Sequence, residues 1–299
     1  MTTTLTLLDG GMGRELQRRG APFRQPEWSA LALMEAPEQV IAAHQAFIDA
    51  GAQVITTNNY AVVPFHIGEA RFAERGRELV SLAGRLAKKA AQGSNTRIAG
   101  SLPPLFGSYR ADLYQAERVE ELARPIIAAL AAHVDLWLAE TQSLIAEIRA
   151  VHALLPKDGK PYWVSFTLQD SLHDGIPRLR SGETVEAAAQ AAIALGADAM
   201  LFNCCQPEVI EAALAVAAGE ARRQQVTLQL GAYANAFPPQ PEDATANDGL
   251  DELRADLDPP AYLAWARRWQ QAGASLIGGC CGIGPEHIAI LAQQLTADA

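Results

Sequence analysis

Three times along the chain an Ala-rich helical stretch halts at a glycine and turns at once into an apolar run: Asp-Ala-Gly-Ala-Gln at 49–53, Leu-Gly-Ala-Asp-Ala at 195–199 and Gln-Ala-Gly-Ala-Ser at 271–275. Glycine ends a helix well because it enters the left-handed conformation without a steric penalty. The first and last of these helices open on proline, at Pro37 and Pro259, as suits a first turn whose amides have no helical partner. The pattern predicts helices over 38–50, 183–195 and 259–272. Strand-like runs alternate with such helices at 5–9, 53–57, 97–101, 134–139, 162–167, 199–202, 227–232 and 275–278. Several are continuously apolar, such as Trp163-Val164-Ser165-Phe166, as in strands buried on both faces. Strands joined by crossover helices form a parallel sheet.

Eight βα units in 299 residues predict one (β/α)8 TIM barrel, a single domain over 1–299. With 49% hydrophobic and 19% charged residues the chain has material for a large core. A formal net charge of -10 opposes binding to nucleic acid or to an anionic membrane, which leaves small molecules as the expected ligands. Met1-Thr2-Thr3-Thr4 has no basic signal-peptide region, and no apolar stretch is long enough for a membrane span, so a cytoplasmic protein is expected. The segment 234–260 breaks the βα rhythm. Its tip carries Glu242, Asp243, Asp248, Asp251, Glu252, Asp256 and Asp258 against Arg254 alone. It reads as a solvated loop, and its position after the seventh strand would also suit a lid. Oligomeric state is not legible.

Polar and sulfur-bearing residues gather at the predicted C-terminal ends of the strands: Asp9-Gly10-Gly11, Thr57 to Tyr60, Glu140-Thr141, Asn203-Cys204, Tyr233 to Asn235 and Gly279-Cys280-Cys281. That end is the catalytic face of a barrel. The four cysteines form two adjacent pairs, Cys204-Cys205 and Cys280-Cys281, unlike the spread of a disulfide framework. Three thiolates from two strands could hold a tetrahedral zinc ion and leave one position open for a substrate sulfur. Gly278, Gly279 and Gly282 would permit the sharp turn that aims both Cys280 and Cys281 at one ion. Inert buried cysteines and a redox-active disulfide are the competing readings, and a purely structural zinc site is a third.

The stretches LLDGGMGREL (7–16), VITTNNYAV (54–62), DLWLAET (135–141), LFNCC (201–205), YAN (233–235) and GGCCGIGPEHI (278–288) together resemble the homocysteine S-methyltransferase family, in family order and from end to end. The resemblance implies zinc on Cys204, Cys280 and Cys281, with Cys205 a neighbour whose role stays open. It implies that Asp9 and Glu140 hold the amino group of homocysteine, with the backbone of Gly10 and Gly11 near its carboxylate. Thr141, Asn203, Tyr60 and Tyr233 join them as candidate substrate-binding residues.

Zinc would suit the chemistry because only a thiolate attacks a methyl group efficiently, and coordination removes the thiol proton. The donor would be a cation, since a sulfonium leaves as a neutral thioether. Rings from Trp28, Tyr60, Phe65, Tyr109, Tyr114 and Tyr233 could surround it. Thr141 stands where the betaine-using branch has Tyr, which points to S-methylmethionine or S-adenosylmethionine. Another thiol or selenol acceptor, another donor, or a corrinoid- or folate-linked methyl transfer is the alternative within the enzyme class. A cobalamin or folate module of the chain's own is not expected. Gly10-Gly11-Met12-Gly13 lacks the dinucleotide-binding spacing, and no G-x-S-x-G elbow marks a hydrolase.

Overall fold

The computed structural model describes residues 4–240 and 252–295. Eight parallel strands follow one another around a single sheet: β1 (Thr6–Leu7), β2 (Val54–Thr56), β3 (Arg97–Leu102), β4 (Leu136–Gln142), β5 (Tyr162–Phe166), β6 (Ala199–Asn203), β7 (Gln229–Tyr233) and β8 (Leu276–Ile277). β1 pairs with β8, and a parallel bridge from Leu8 to Val54 closes the ring between β1 and β2. Helices join the strands, so the architecture is the expected (β/α)8 barrel. Among the described residues no helix is long and apolar enough to cross a membrane. Of the acidic 234–260 segment, residues 241–251 lie outside the described residues, and with them Glu242, Asp243, Asp248 and Asp251 of the tip read as a solvated loop or lid.

The helix-to-strand exits take the form read from sequence. Helices Pro37–Asp49, Val185–Ala194 and Pro259–Gln271 stop just before Gly51, Gly196 and Gly273, whose φ angles are 108°, 70° and 102°. Two of the exits also carry a side-chain key for strand register. Asp198 Oδ2 accepts from the Tyr162 amide at 2.8 Å, and Gln53 Oε1 from the Leu7 amide at 2.9 Å. Asp135 does the same for Ile98 at 2.8 Å. Each bond gives an amide at the start of a strand, the first of β5 and the second of β1 and β3, a partner where the ladder begins.

Side chains alternate across a strand, so inward positions recur every second residue. The barrel interior holds Leu8, Val54, Ala99, Leu136, Leu138, Trp163, Ala199 and Leu201, all buried. Counting on by two from this layer reaches Ser101 on β3, Glu140 on β4, Ser165 on β5 and Asn203 on β6. The same parity that fills the barrel with hydrocarbon therefore sets a polar layer over it. A larger shell of apolar side chains fills the space between sheet and helices.

Removing a key at the N-terminal end of the barrel should affect stability without touching the opposite face. Asp198→Ala is expected to lower the unfolding free energy by about 1 kcal/mol, measured by urea denaturation, with substrate KM values unchanged.

Candidate metal and substrate site

Cys204 follows β6 directly, and Cys280-Cys281 lie in the loop after β8, two strands away around the barrel. The backbone after β7 joins them. The Cys204 amide donates to the Tyr233 carbonyl (3.4 Å) and the Asn235 amide to the Cys205 carbonyl (3.2 Å). On the other side the Cys280 amide donates to Ala234 (2.9 Å) and the Ala236 amide to Cys281 (2.8 Å). Cys204 adopts a φ of 53°, a left-handed conformation rare outside glycine, which turns its side chain off the strand direction. As a result the sulfurs of Cys204, Cys280 and Cys281 all lie within 4.8 Å of one another. Cys205 is fully buried and belongs to the apolar shell, outside this cluster.

The glycines around Cys280 serve two purposes. Gly282 does take a left-handed turn, with φ 85°. Gly279 is needed for space, since a Cβ there would lie 2.1 Å from an Ile283 side-chain carbon. Gly11 likewise lets the β1 loop approach the cysteine loop, because its Cβ would fall 2.5 Å from the Cys280 carbonyl oxygen.

Four cysteines are free, and the three clustered ones fit a metal. A tetrahedral zinc ion with bonds of about 2.3 Å sets its sulfurs roughly 3.8 Å apart, within reach of small side-chain adjustments here. Among the described residues no His, Asp or Glu joins the cluster as a fourth ligand. In the metal-free protein the charge settles on Cys204. The thiols of Cys280 and then Cys281 donate to its sulfur and hold it well below the usual thiol range, with help from Tyr109 and Asn235. Their own thiols are pushed up in turn, chiefly by the bond to Cys204.

A cavity of about 240 Å³ opens above the cluster, room for small molecules. Asp9, Gly10, Gly11, Tyr60, Glu140, Thr141, Tyr233 and the three cysteines line it. Asp9 is held by the Thr56 amide (2.8 Å), and Glu140 by the Ser101 hydroxyl (2.5 Å). Both are buried, and no Lys or Arg is among the described lining residues. Burial pushes the Asp9 carboxyl up to about 8, with Glu140 adding repulsion, and the Glu140 carboxyl up to about 7. The Tyr233 hydroxyl is buried with no hydrogen-bond partner among the described residues.

Some expected residues occupy other places. Asn203 does not line the cavity. It sits beneath, its Oδ1 accepting from the Ser165 hydroxyl (2.7 Å) and the Thr141 amide (3.0 Å), and its Nδ2 donating to Thr141 Oγ1 (2.8 Å). Glu140 and Thr141 lie within β4 rather than past it, at a register irregularity where Thr141 takes φ 55°. The Gly11 amide is committed to the Ile283 carbonyl (2.9 Å), so it is not free for a substrate carboxylate. Of the six candidate rings, Trp28, Tyr60, Tyr109 and Tyr233 line the cavity. Phe65 and Tyr114 do not, and they pack edge-on against His66 and Phe106. Phe23 and Phe237 complete the aromatic wall from loops whose sequence has no period to mark them.

The homocysteine S-methyltransferase family model matches residues 6–295. The homocysteine S-methyltransferase of Escherichia coli (strain K12) is 34% identical over 313 residues, covering 96% of this chain and 94% of that protein. This chain belongs to the homocysteine S-methyltransferase family. It is accordingly a methyltransferase. A relative within the same family range, the selenocysteine methyltransferase of Astragalus bisulcatus, is 26% identical, covering 94% of this chain and 90% of that one. The crystal structure of the E. coli homocysteine methyltransferase MmuM in its metallated form superposes with a TM-score of 0.75 at 30% identity, covering 97% of this chain and 96% of that one. A 3-dehydroquinate dehydratase from Clostridium difficile, at TM-score 0.54 and 12% identity, shares the fold alone.

The raised carboxyls make stability depend on pH. In the folded, metal-free methyltransferase Asp9 and Glu140 keep protons up to about 8 and 7, whereas the unfolded chain releases them near 4. Their contribution is complete below about 4 and is lost as pH rises through 7 and 8. The thermal midpoint in the presence of a chelator should therefore fall between pH 5 and 9, and Asp9→Asn should make that slope shallower. Parallel profiles for the two proteins would contradict this assignment.

Proposed function

We propose that this protein transfers a methyl group from a sulfonium donor, S-methylmethionine or S-adenosylmethionine, to the sulfur of homocysteine, giving methionine, with zinc held by Cys204, Cys280 and Cys281. The observation that carries the reading is the triangle of sulfurs in a cavity lined by two carboxylates, with no Lys or Arg among its described lining residues. A bound zinc ion would supply Lewis acidity, removing the thiol proton of homocysteine and leaving a nucleophilic thiolate.

The chain's own groups do the rest. Asp9 and Glu140 face one cavity and accept the substrate ammonium, whose charge draws both carboxyls into the ionised form. The Tyr233 hydroxyl, buried with no hydrogen-bond partner among the described residues, lines the same cavity and would donate to substrate. Thr141, locked by Asn203, presents a fixed wall beside Glu140. Tyr60 is pinned by Ser108 at 2.5 Å, and with Trp28, Phe23 and Phe237 it gives the cavity an aromatic lining that would suit a sulfonium. The thiolate sulfur attacks the methyl carbon, the new carbon–sulfur bond forms, and the old one breaks with its electron pair passing to the sulfonium sulfur. The donor leaves as a neutral thioether, so no general base is needed. Both reactants must sit in line within the one cavity.

The single domain over 1–299 carries the whole reaction on this reading, and its unpaired thiols suit a reducing compartment such as the cytoplasm. A selenol acceptor is the second reading, favoured by the similarity to selenocysteine methyltransferase.

The test is to load the reduced protein with zinc, supply homocysteine with each donor in turn, and measure methionine. Methionine from a sulfonium donor and one zinc per chain are expected. Cys204→Ser should lose both the metal and at least about 10²-fold in activity. Glu140→Gln should raise KM for homocysteine by about 10-fold or more, with a smaller change in kcat. A protein that turns over without metal would overturn the proposal.

A further inference from the structure

A buried ion pair stands behind the cysteine cluster, outside the chemistry assigned above. Arg180 Nη2 and Asp170 Oδ2 are 2.8 Å apart, with side chains only 2% and 4% exposed. Asp170 is tied to the backbone on two further sides, accepting from the Gln206 amide (3.1 Å) and the Gln240 amide (2.7 Å). Taking two charges out of water is expensive, and such a pair persists only where geometry and extra hydrogen bonds compensate. The guanidinium plane is thus fixed in place. It is fixed against the ring of Tyr109, with its central carbon 4.7 Å from the ring centroid.

Tyr109 is held in turn in a left-handed backbone conformation, φ 68°, that a residue with a large side chain seldom adopts. Strain of that kind survives only where surrounding contacts overdetermine it. The consequence lies at the other end of the ring. The Tyr109 hydroxyl oxygen is 2.9 Å from Cys204 Sγ and 3.3 Å from the Cys204 carbonyl oxygen. Thr167 Oγ1 donates to the same carbonyl at 3.1 Å. The other two sulfurs have no hydroxyl partner of this kind among the described residues. Cys280 Sγ meets the Asn203 side-chain amide instead, with Nδ2 3.9 Å away.

We infer that Tyr109, clamped by the Arg180–Asp170 pair, is a positioning residue that donates its O–H to the Cys204 sulfur, fixing the direction of that ligand and drawing charge from it. The inference rests on the metal-site reading of the preceding section. A group bonded to the back of a ligand orients it and tunes how much charge it gives to the ion, and removing such a partner commonly weakens metal binding 10- to 100-fold. A hydrogen bond to an anionic acceptor is also among the stronger ones. The three sulfurs are therefore unequal: Cys204 is braced, while Cys280 and Cys281 depend on the glycine-rich loop that carries them.

Tyr109→Phe keeps the ring and its stacking on Arg180 and deletes only the O–H. The direct probe is cobalt(II) in place of zinc, read by the sulfur-to-metal charge-transfer band, alongside zinc affinity from chelator competition. Without the O–H the sulfur lone pair is less stabilised, so the band should move to longer wavelength and the zinc Kd should rise about 10-fold or more. Arg180→Lys, which keeps the charge but not the flat stacking face, should shift the band in the same direction by less. Thermal unfolding of each metal-free variant checks that it is folded. A folded Tyr109→Phe protein whose band and zinc Kd both match wild type would overturn the inference and leave the metal site standing. A wild-type protein that takes up no cobalt on its thiolates would remove the metal site and this inference together.

Discussion

The short backbone run from Tyr233 to Ala236 is what the rest of the site depends on. Adjacent strands lie about 4.8 Å apart, so the ends of β6 and β8 are separated by roughly twice that distance across β7. Sulfurs carried straight on from those strands would not share an ion. The run after β7 accepts from Cys204 and donates to Cys205 on one side, and it accepts from Cys280 and donates to Cys281 on the other. Four hydrogen bonds thereby draw two loops over a third, and the left-handed turn at Cys204 completes the approach. A metal site at this place is a property of sheet register before it is a property of cysteine chemistry.

The electrostatics of the cavity follow from the same construction. Parity along the strands puts hydrocarbon inside the barrel and a polar layer over it that includes Glu140, while Asp9 comes to the same cavity from the turn directly after Leu8, with no Lys or Arg among the described lining residues. Burying two carboxyls side by side disfavours their ionised forms. Such a pocket is tuned for a cationic guest. On the proposed reading an amino-acid ammonium and a sulfonium are both cations, so one arrangement would serve acceptor and donor alike, while the aromatic rims would supply the apolar surface each also needs.

Much of this was legible in the sequence. The helix exits at Gly51, Gly196 and Gly273 gave the βα rhythm and hence the barrel, because glycine at a helix end has a local cause that needs no tertiary context. That the two cysteine pairs lie at strand ends on one face was legible from the strand order, and the choice of Cys204 with Cys280 and Cys281 was implied by the family resemblance; the structure brings these three sulfurs together. What escaped was set by long-range packing. The extension of β4 to Gln142, which moves Glu140 and Thr141 into the strand, arises from pairing with β5 across a register irregularity. Asn203 looked like a wall residue because it ends a strand, yet parity turns it inward beneath Thr141. Phe23 and Phe237 reach the cavity from aperiodic loops, and Arg180 meets Asp170 across a loop whose sequence gives no sign of the contact. The role of Gly279 was also misread as conformational when it is one of space.

The central claim is that three protein sulfurs grip one ion and leave a place for a fourth sulfur from the substrate. X-ray absorption at the zinc edge of the loaded protein, before and after homocysteine is added, tests it most directly. The account predicts three sulfurs and one lighter atom in the free protein, becoming four sulfurs at about 2.3 Å once homocysteine binds. A shell of four sulfurs from the outset, or one that homocysteine leaves unaltered, would contradict it.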